Sequence, residues 1–168
     1  MSTTRRASIS ALVRIYFKHR TPEQVVSYIC AAGPDGNAVV CSLIENNYEG
    51  FVSVVRAVYR RWTFGFKTAA AFMISIDDCT NIAAECLLKH FSPKIRLTAS
   101  AGEMVTGMCM WIEQKVKRAV LKEKFHAEGL EIKKVRPCDR LNNLDNEKPY
   151  VKIYRRSFVP DFFWERLI

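Results

Sequence analysis

Arg61–Phe91 reads RWTFGFKTAAAFMISIDDCTNIAAECLLKHF, and it decides the predicted fold because strand, cap and helix signals follow one another within it. Its first half has the period-two pattern of a half-buried strand, whose inward face comprises Phe64, Phe66, Ala70, Phe72, Ile74 and Ile76. Asp77 and Asp78 are expected to end that strand and cap the next helix, since carboxylates accept hydrogen bonds from its free N–H groups. An apolar stripe predicts that this helix folds back onto the sheet; its members are Ile82, Cys86, Leu87, His90 and Phe91.

Three earlier segments also favour strands. Ile9–Lys18 alternates an apolar with a basic face, and Ala38–Ile44 is a continuous apolar run with β-branched residues. Phe51–Tyr59 favours a strand by composition, although the helical spacing of three of its valines leaves a helix open. The first two-thirds of the chain therefore predict several strands of one sheet.

Two helices stand out beside these strands. Thr21, Pro22 and Gln24 predict a helix start, since Thr can cap, Pro fits the first helical position and Gln completes a capping box. The predicted buried stripe of that helix is Val25, Val26, Ile29 and Cys30. Ala101–Glu128 carries the best helix signal, and Gly129 is expected to end it.

The pattern returns to strands near the end of the chain, at Leu130–Val135 and Tyr150–Tyr154. Together these elements predict an α+β fold, a single compact domain with an antiparallel β-sheet packed by two or three amphipathic helices. Residues 1–9 are expected to form a flexible basic tail, and residues 10–168 one domain that ends in an aromatic arm.

The net charge is the part of the composition that says most about function. The chain has 26 basic and 17 acidic side chains, a formal net charge of +9. Residues 1–70 carry +5, residues 71–114 carry −2 and residues 115–168 carry +6, so both ends are basic. A partner that is negative over a broad area, a phosphate backbone or an anionic membrane, fits this distribution. Solubility alone is the alternative explanation.

Basic residues of the tail, of a cluster beside Tyr59 and Trp62, and of the later turns of the long helix are the candidate contacts to nucleic acid, nucleocapsid or membrane. They are Arg5, Arg6, Arg56, Arg60, Arg61, Lys115, Lys117, Arg118, Lys122 and Lys124. For the cluster beside the aromatic residues, the alternative is a solvated face whose aliphatic stems pack on the rings. For the long helix, it is the charged solvent face of an ordinary amphipathic helix. Candidates for self-association are the apolar residues of the C-terminal arm, which could dock on the chain's own core or on a neighbouring copy: Phe158, Phe162, Phe163, Trp164 and Leu167.

The sequence offers little support for catalysis. His19, His90 and His126 lie on different predicted elements, and no Gly-rich phosphate loop, GxSxG or HExxH motif is present. The six cysteines have no CxxC spacing and are interpreted as reduced thiols of a protein made and used in the cytosol. We therefore expect a non-enzymatic protein with no metal, no cofactor and no small-molecule substrate.

Two segments resemble the matrix proteins of rhabdoviruses, above all the shorter plant-infecting members. ALVRIYFKHRTPEQVVSYICAA is similar to the family's first strand and helix, and RRWTFGFKTAAAFMISIDDCTNIAAECLLKHF resembles its late strand pair, Asp-Asp turn and second helix. The resemblance covers about a third of the chain and includes no PPxY or PTAP budding motif.

The resemblance implies a structural viral protein that self-assembles, condenses the helical ribonucleoprotein and links it to the anionic inner membrane during budding. Its expected partners are further copies of itself, the viral nucleoprotein–RNA complex and the anionic membrane. Its expected location is the virion, between nucleocapsid and envelope, and the host cytoplasm and its membranes. The alternative is an intracellular RNA-binding regulator, such as a viral silencing suppressor.

Overall fold

The computed structural model describes the backbone of residues 3–63, 74–127, 130–134 and 151–155, and the side chains of residues 8–63 and 74–123. Six α-helices and two short strands occupy these residues. They are α1 (Thr3–Tyr16), α2 (Pro22–Ala32), α3 (Gly36–Glu45), α4 (Tyr48–Thr63), α5 (Ile76–Cys86), α6 (Ala101–Ala127), β1 (Leu130–Lys134) and β2 (Val151–Arg155). A π-helical turn, Leu87–Phe91, and a 3-10 turn, Ser92–Lys94, follow α5 directly.

The predicted α+β class is wrong, because the core of the described chain is built from helices. The expected strands at Ile9–Lys18, Ala38–Ile44 and Phe51–Tyr59 lie largely or wholly in α1, α3 and α4. Only in Phe51–Tyr59 had the spacing left a helix open. No sheet packs beneath these helices in the part of the first unit that is described.

The core lies where stripes of α1, α3, α4, α5 and α6 meet. Its largest fully buried side chains include Tyr16, Phe51, Leu87, Met108 and Ile112. Tyr16 links α1 to α3 through the core, because its hydroxyl donates a hydrogen bond to the carbonyl oxygen of Leu43 at 2.6 Å. Burying side chains of this size from several helices supplies the main stabilisation of such a core.

The helix start at Pro22 is confirmed in detail. The Thr21 hydroxyl accepts from the N–H of Gln24 at 3.3 Å, and the Gln24 side chain accepts from the N–H of Thr21 at 3.0 Å. The predicted stripe of α2 is only partly correct, since Val25 is buried but Val26 and Cys30 are exposed.

The cap of α5 differs from the prediction. Ser75 is the N-cap, and its hydroxyl accepts from the N–H of Asp78 at 3.0 Å while the Asp78 carboxylate accepts from the N–H of Ser75 at 2.9 Å. The Asp78 carboxylate accepts hydrogen bonds from the N–H and from the hydroxyl of Ser75, and these two bonds, that from the N–H first, lower the pKa of Asp78. Asp77 lies in the first turn and Ile76 begins the helix, so neither Asp ends a strand.

The apolar stripe predicted from Ile82 to Phe91 is confirmed at every member except His90. Cys86, Leu87 and Phe91 are buried and Ile82 is half-buried, but His90 is exposed. The π-helical turn explains the change, because its wider turn carries Leu87 and Phe91 into the core and leaves the residues between them outside. The predicted strand residues from Phe64 to Phe72 lie outside the described residues.

The long helix is confirmed, since α6 spans Ala101–Ala127 against the predicted Ala101–Glu128. The two late strands are also present. β1 and β2 pair antiparallel, with Ile132 opposite Ile153.

The chain divides into two compact units. The first takes residues 1–67 and 74–120 and so contains α1 to α5 and most of α6; the second takes residues 68–73 and 121–168, with the end of α6 and the strand pair. Helix α1 begins at Thr3, within the segment expected to be a tail. The domain plan of a tail at residues 1–9 and one domain at residues 10–168 stays a prediction.

Candidate polyanion-binding face

The basic cluster at the end of α4 is split between two surfaces. Arg56 and Arg60 are exposed, and their helical positions lie opposite the buried stripe of Val54 and Val58. Arg61 lies on the flank of the helix towards α6, where its Nη1 donates to Glu113 Oε1 at 3.1 Å. We call Arg56 and Arg60 the outer α4 face.

Next to this ion pair, Lys117 of α6 covers the ring of Trp62. The Lys117 Nζ lies 4.2 Å from the ring centroid, a cation–π contact. The Trp62 Nε1 is buried and has no hydrogen-bond partner among the described residues. Arg61 and Lys117 therefore each contribute a contact between α4 and α6.

The other flank of α6 carries a second aromatic and basic group. His90, in the π-helical turn, stacks on Trp111 with ring centroids 6.2 Å apart and an interplanar angle of 14°. Lys94 Nζ lies 4.7 Å from the centroid of the Trp111 ring. An exposed imidazole and an exposed ammonium group therefore flank one half-buried indole.

Lys115 and Arg118 extend this group along α6, because they follow Trp111 by four and seven residues and so share its face of the helix. Both lie close enough to Cys86 that their charges oppose the effect of burial, which raises the pKa of its thiol. We call this surface the α5–α6 face, because it is formed by α6 and by the two turns that directly follow α5. It comprises Lys89, His90, Lys94, Trp111, Lys115 and Arg118.

Glu85 is an acidic residue next to this face. It forms an i,i+4 ion pair with Lys89, and this hydrogen bond, with the Lys89 charge, lowers the pKa of the Glu85 carboxyl. Lys115 and His90 lower it further. Among the described residues, none of the recorded ion pairs involves Lys94, Lys115 or Arg118.

Close packing fixes the π-helical turn against α6. A Cβ atom at Gly107 would lie 2.9 Å from the Phe91 ring, closer than real Cβ contacts, so glycine permits this approach. The contact holds Phe91 on α6 one turn before Trp111. His90, the neighbour of Phe91, is thereby placed beside the indole.

An open cavity of about 440 Å³ adjoins this face, between residues 94–99 and the first turns of α6. Its charged lining consists of Lys94, Arg96 and Glu103. Glu103 is engaged in capping α6, since the N–H and hydroxyl of Ser100 donate to its Oε2 at 2.8 and 3.1 Å. Arg96 thus extends the cationic surface past Lys94.

Several predicted contact residues remain without a described environment. Arg5 and Arg6 lie in α1 and Lys124 in α6, but their side chains are outside the described set; Lys122 is exposed and belongs to the second unit. The predicted self-association residues, Phe158, Phe162, Phe163, Trp164 and Leu167, lie outside the described residues.

Sequence reasoning missed Lys89, His90, Lys94 and Trp111 as parts of a basic face. The sequence pattern placed His90 in the buried stripe of its helix. The spacing of Trp111, Lys115 and Arg118 along one helical stripe was an available signal. The approach of His90 and Lys94 to Trp111 depends on tertiary packing and gave no signal.

The described side chains include no group of three or more His, Cys, Asp or Glu placed to hold a metal ion. Of the helices described, none combines the length and apolar character needed to span a membrane. Comparison of the chain with protein-family models, curated proteins and solved structures found no match.

Proposed function

We propose that this chain is a non-enzymatic RNA-binding protein whose α5–α6 face contacts the phosphate backbone. The observation that carries the proposal is the placement of Lys94, Lys115 and Arg118 around Trp111, with Glu85 already paired to Lys89. Cations grouped on one surface are stabilised when phosphates come between them.

The chemistry of the face favours binding without sequence preference. Lys and Arg bind phosphate oxygens that are identical in every nucleotide. Trp111 is half-buried beneath His90 and Lys94, so its ring positions these two side chains. The net charge of +9 adds long-range attraction to any polyanion.

Charge reversal on the face tests the proposal directly. We compare the wild-type chain with Lys115→Glu/Arg118→Glu, and use Arg56→Glu/Arg60→Glu as the matched control with the same change in net charge. Anisotropy titrations with labelled RNA, single-stranded and duplex, should show a loss of roughly tenfold or more for the first variant and a clearly smaller loss for the control. Equal losses would mean that net charge alone attracts RNA, and no binding by the wild-type chain would reject the proposal.

A role as a matrix protein is a second proposal, favoured by one observation. The first unit carries exposed cations on two different surfaces, the outer α4 face and the α5–α6 face. A protein that links ribonucleoprotein to an anionic membrane needs two such surfaces. The predicted strand of the first resembling segment is largely helical, as part of α1, so this proposal depends on charge placement and not on a shared strand order.

Cosedimentation with vesicles distinguishes the two proposals. A matrix role predicts that the chain pellets with phosphatidylserine-containing vesicles and not with pure phosphatidylcholine, and that Arg56→Glu/Arg60→Glu weakens this pelleting while RNA binding largely remains. A chain that binds RNA but ignores anionic vesicles contradicts the matrix role and leaves the first proposal intact.

A further inference from the structure

Ser8 follows two arginines and precedes an apolar residue, in the order Arg5-Arg6-Ala7-Ser8-Ile9. Serine/threonine kinases with acidic substrate grooves select acceptors that have basic residues two and three positions before the hydroxyl. Charge-assisted hydrogen bonds between arginine and the kinase's carboxylates explain that selection. Arg5 and Arg6 therefore fit recognition by such a kinase as well as contact with a polyanion.

The structure places the Ser8 hydroxyl at a charged contact between three helices. Ser8 Oγ donates to Glu113 Oε1 at 3.4 Å, and Arg61 Nη1 donates to Ser8 Oγ. Arg61 also pairs with Glu113, whose side chain is only 12% exposed. A change of charge at Ser8 therefore acts directly on the Arg61–Glu113 ion pair, which joins α4 to α6.

The first turns of α1 are suited to open locally. Arg5 and Arg6 lie at the positive end of the helix, and its first turn contains no acidic residue, so the helix dipole opposes their charges. The first buried apolar side chain among those described is Ile9. Unwinding residues 5–9 into an extended substrate therefore costs the burial of Ile9 and the hydrogen bonds of Ser8, while Leu12 and the rest of the described core stay in place.

We propose that Ser8 is a phosphorylation site for a kinase that recognises basic residues. The Ser8 oxygen forms a bond to the γ-phosphorus of a nucleoside triphosphate, the bond between that phosphorus and the β,γ-bridging oxygen breaks, and the nucleoside diphosphate leaves. The hydroxyl proton passes to the kinase's general base. This inference does not depend on the proposed RNA binding.

Phosphorylation changes the contact between α1, α4 and α6. The phosphate brings nearly two negative charges at neutral pH beside Glu113, and it competes with that carboxylate for Arg61. Repulsion within a half-buried contact loosens the ion pair. Phosphoserine 8 should therefore weaken the attachment of the first turns of α1.

The first experiment treats the full-length protein with the purified catalytic subunit of cyclic-AMP-dependent protein kinase and magnesium ATP. We expect one phosphate, located on Ser8 by fragmentation mass spectrometry, and none at this position in Ser8→Ala. The variant Arg5→Ala/Arg6→Ala should be modified at least several-fold more slowly. Modification elsewhere, such as on Ser10, an unchanged rate in the double variant, or no incorporation would overturn the proposal.

The second readout is the thermal midpoint of the modified chain. Phosphorylation should lower the midpoint of the wild-type protein, and should lower it less, or raise it, in Glu113→Gln, where the repelling carboxylate is absent. An equal shift in both proteins would contradict the role of Ser8 at this contact, since the phosphate would then act without Glu113.

Discussion

Asn47 is the buried polar residue that joins two helices. It is 3% exposed; its Nδ2 donates to the carbonyl oxygen of Tyr16 at 2.8 Å, and its Oδ1 accepts from the N–H of Gly50 at 3.3 Å. One amide thus satisfies the last turn of α1 and the first turn of α4. A Cβ atom at Gly50 would overlap this amide, so glycine is required there.

Asn47→Ala should lower the free energy of unfolding by about 2–3 kcal/mol, because it removes a cap and leaves two buried backbone groups without partners. Urea denaturation followed by circular dichroism measures the change. The neighbouring Asn46→Ala is the control, since Asn46 is exposed and, within the described part of the chain, its Nδ2 donates to the Ser42 hydroxyl alone. Its expected cost is about 0.5 kcal/mol or less, and similar costs for the two variants would contradict the role given to Asn47.

Buried thiols predict a loss of stability at alkaline pH. Burial raises the pKa of Cys79 from 9.0 to about 11 and that of Cys109 from 9.0 to about 12. A folded-state pKa above the unfolded value gives stability that is complete below pH 9.0, because the unfolded chain loses its thiol protons first as the pH rises. The free energy of unfolding should therefore fall from about pH 9 to 11.

Denaturation midpoints across this pH range check the prediction. The fall should be shallower in Cys79→Ala, and unchanged in Cys30→Ala, since Cys30 is exposed. A slope that is identical in the two variants would mean that Cys79 does not contribute.

At the scale of elements, two substitutions test where α5 begins. The structure has Ser75 as the N-cap, whereas the sequence predicted that Asp77 and Asp78 cap the helix. Ser75→Ala removes the hydroxyl that accepts from the N–H of Asp78 and should cost about 1 kcal/mol. Asp77→Ala should have little effect, because Asp77 is exposed and makes no recorded capping hydrogen bond among the described residues. Chemical denaturation of the two variants tests this order, and a larger loss in Asp77→Ala would support the predicted cap instead.

The helices that were predicted correctly have strong end signals. Helix α2 has the Thr21 and Gln24 capping box, and α6 has a long apolar stripe after Ser100 and Glu103. These signals are local, so the sequence displays them without knowledge of the tertiary structure.

The helices mistaken for strands are rich in valine and other β-branched residues. In α3, the run from Ala38 to Ile44 is apolar except for Ser42, so its apolar content fits a buried strand as well as a buried helix. The helix start was marked instead by Asp35, whose Oδ1 accepts from the N–H of Asn37 at 3.2 Å. Burial of Val39, Val40 and Leu43 among the other helices outweighs the weak intrinsic preference of the two valines for strands.

At the scale of the whole molecule, charge was readable from the sequence but its division into faces was not. The sequence grouped Arg56, Arg60 and Arg61 in one cluster, whereas the helix turns Arg61 towards Glu113 and the other two outward. Trp111 gains Lys94 and His90 as neighbours only because the turns after α5 pack on α6. Predicting such a face requires the tertiary arrangement of helices.

The most direct test of the central claim is the salt dependence of RNA affinity. If Lys94, Lys115, Arg118 and a neighbouring cation neutralise three to four phosphates, the logarithm of the association constant for single-stranded RNA should fall linearly with the logarithm of salt concentration, with a slope of about −2 to −3. Lys115→Glu/Arg118→Glu should make this slope shallower by roughly one to two, since two contacts are lost. A slope near zero, or a slope that this variant leaves unchanged, would contradict phosphate binding at the α5–α6 face.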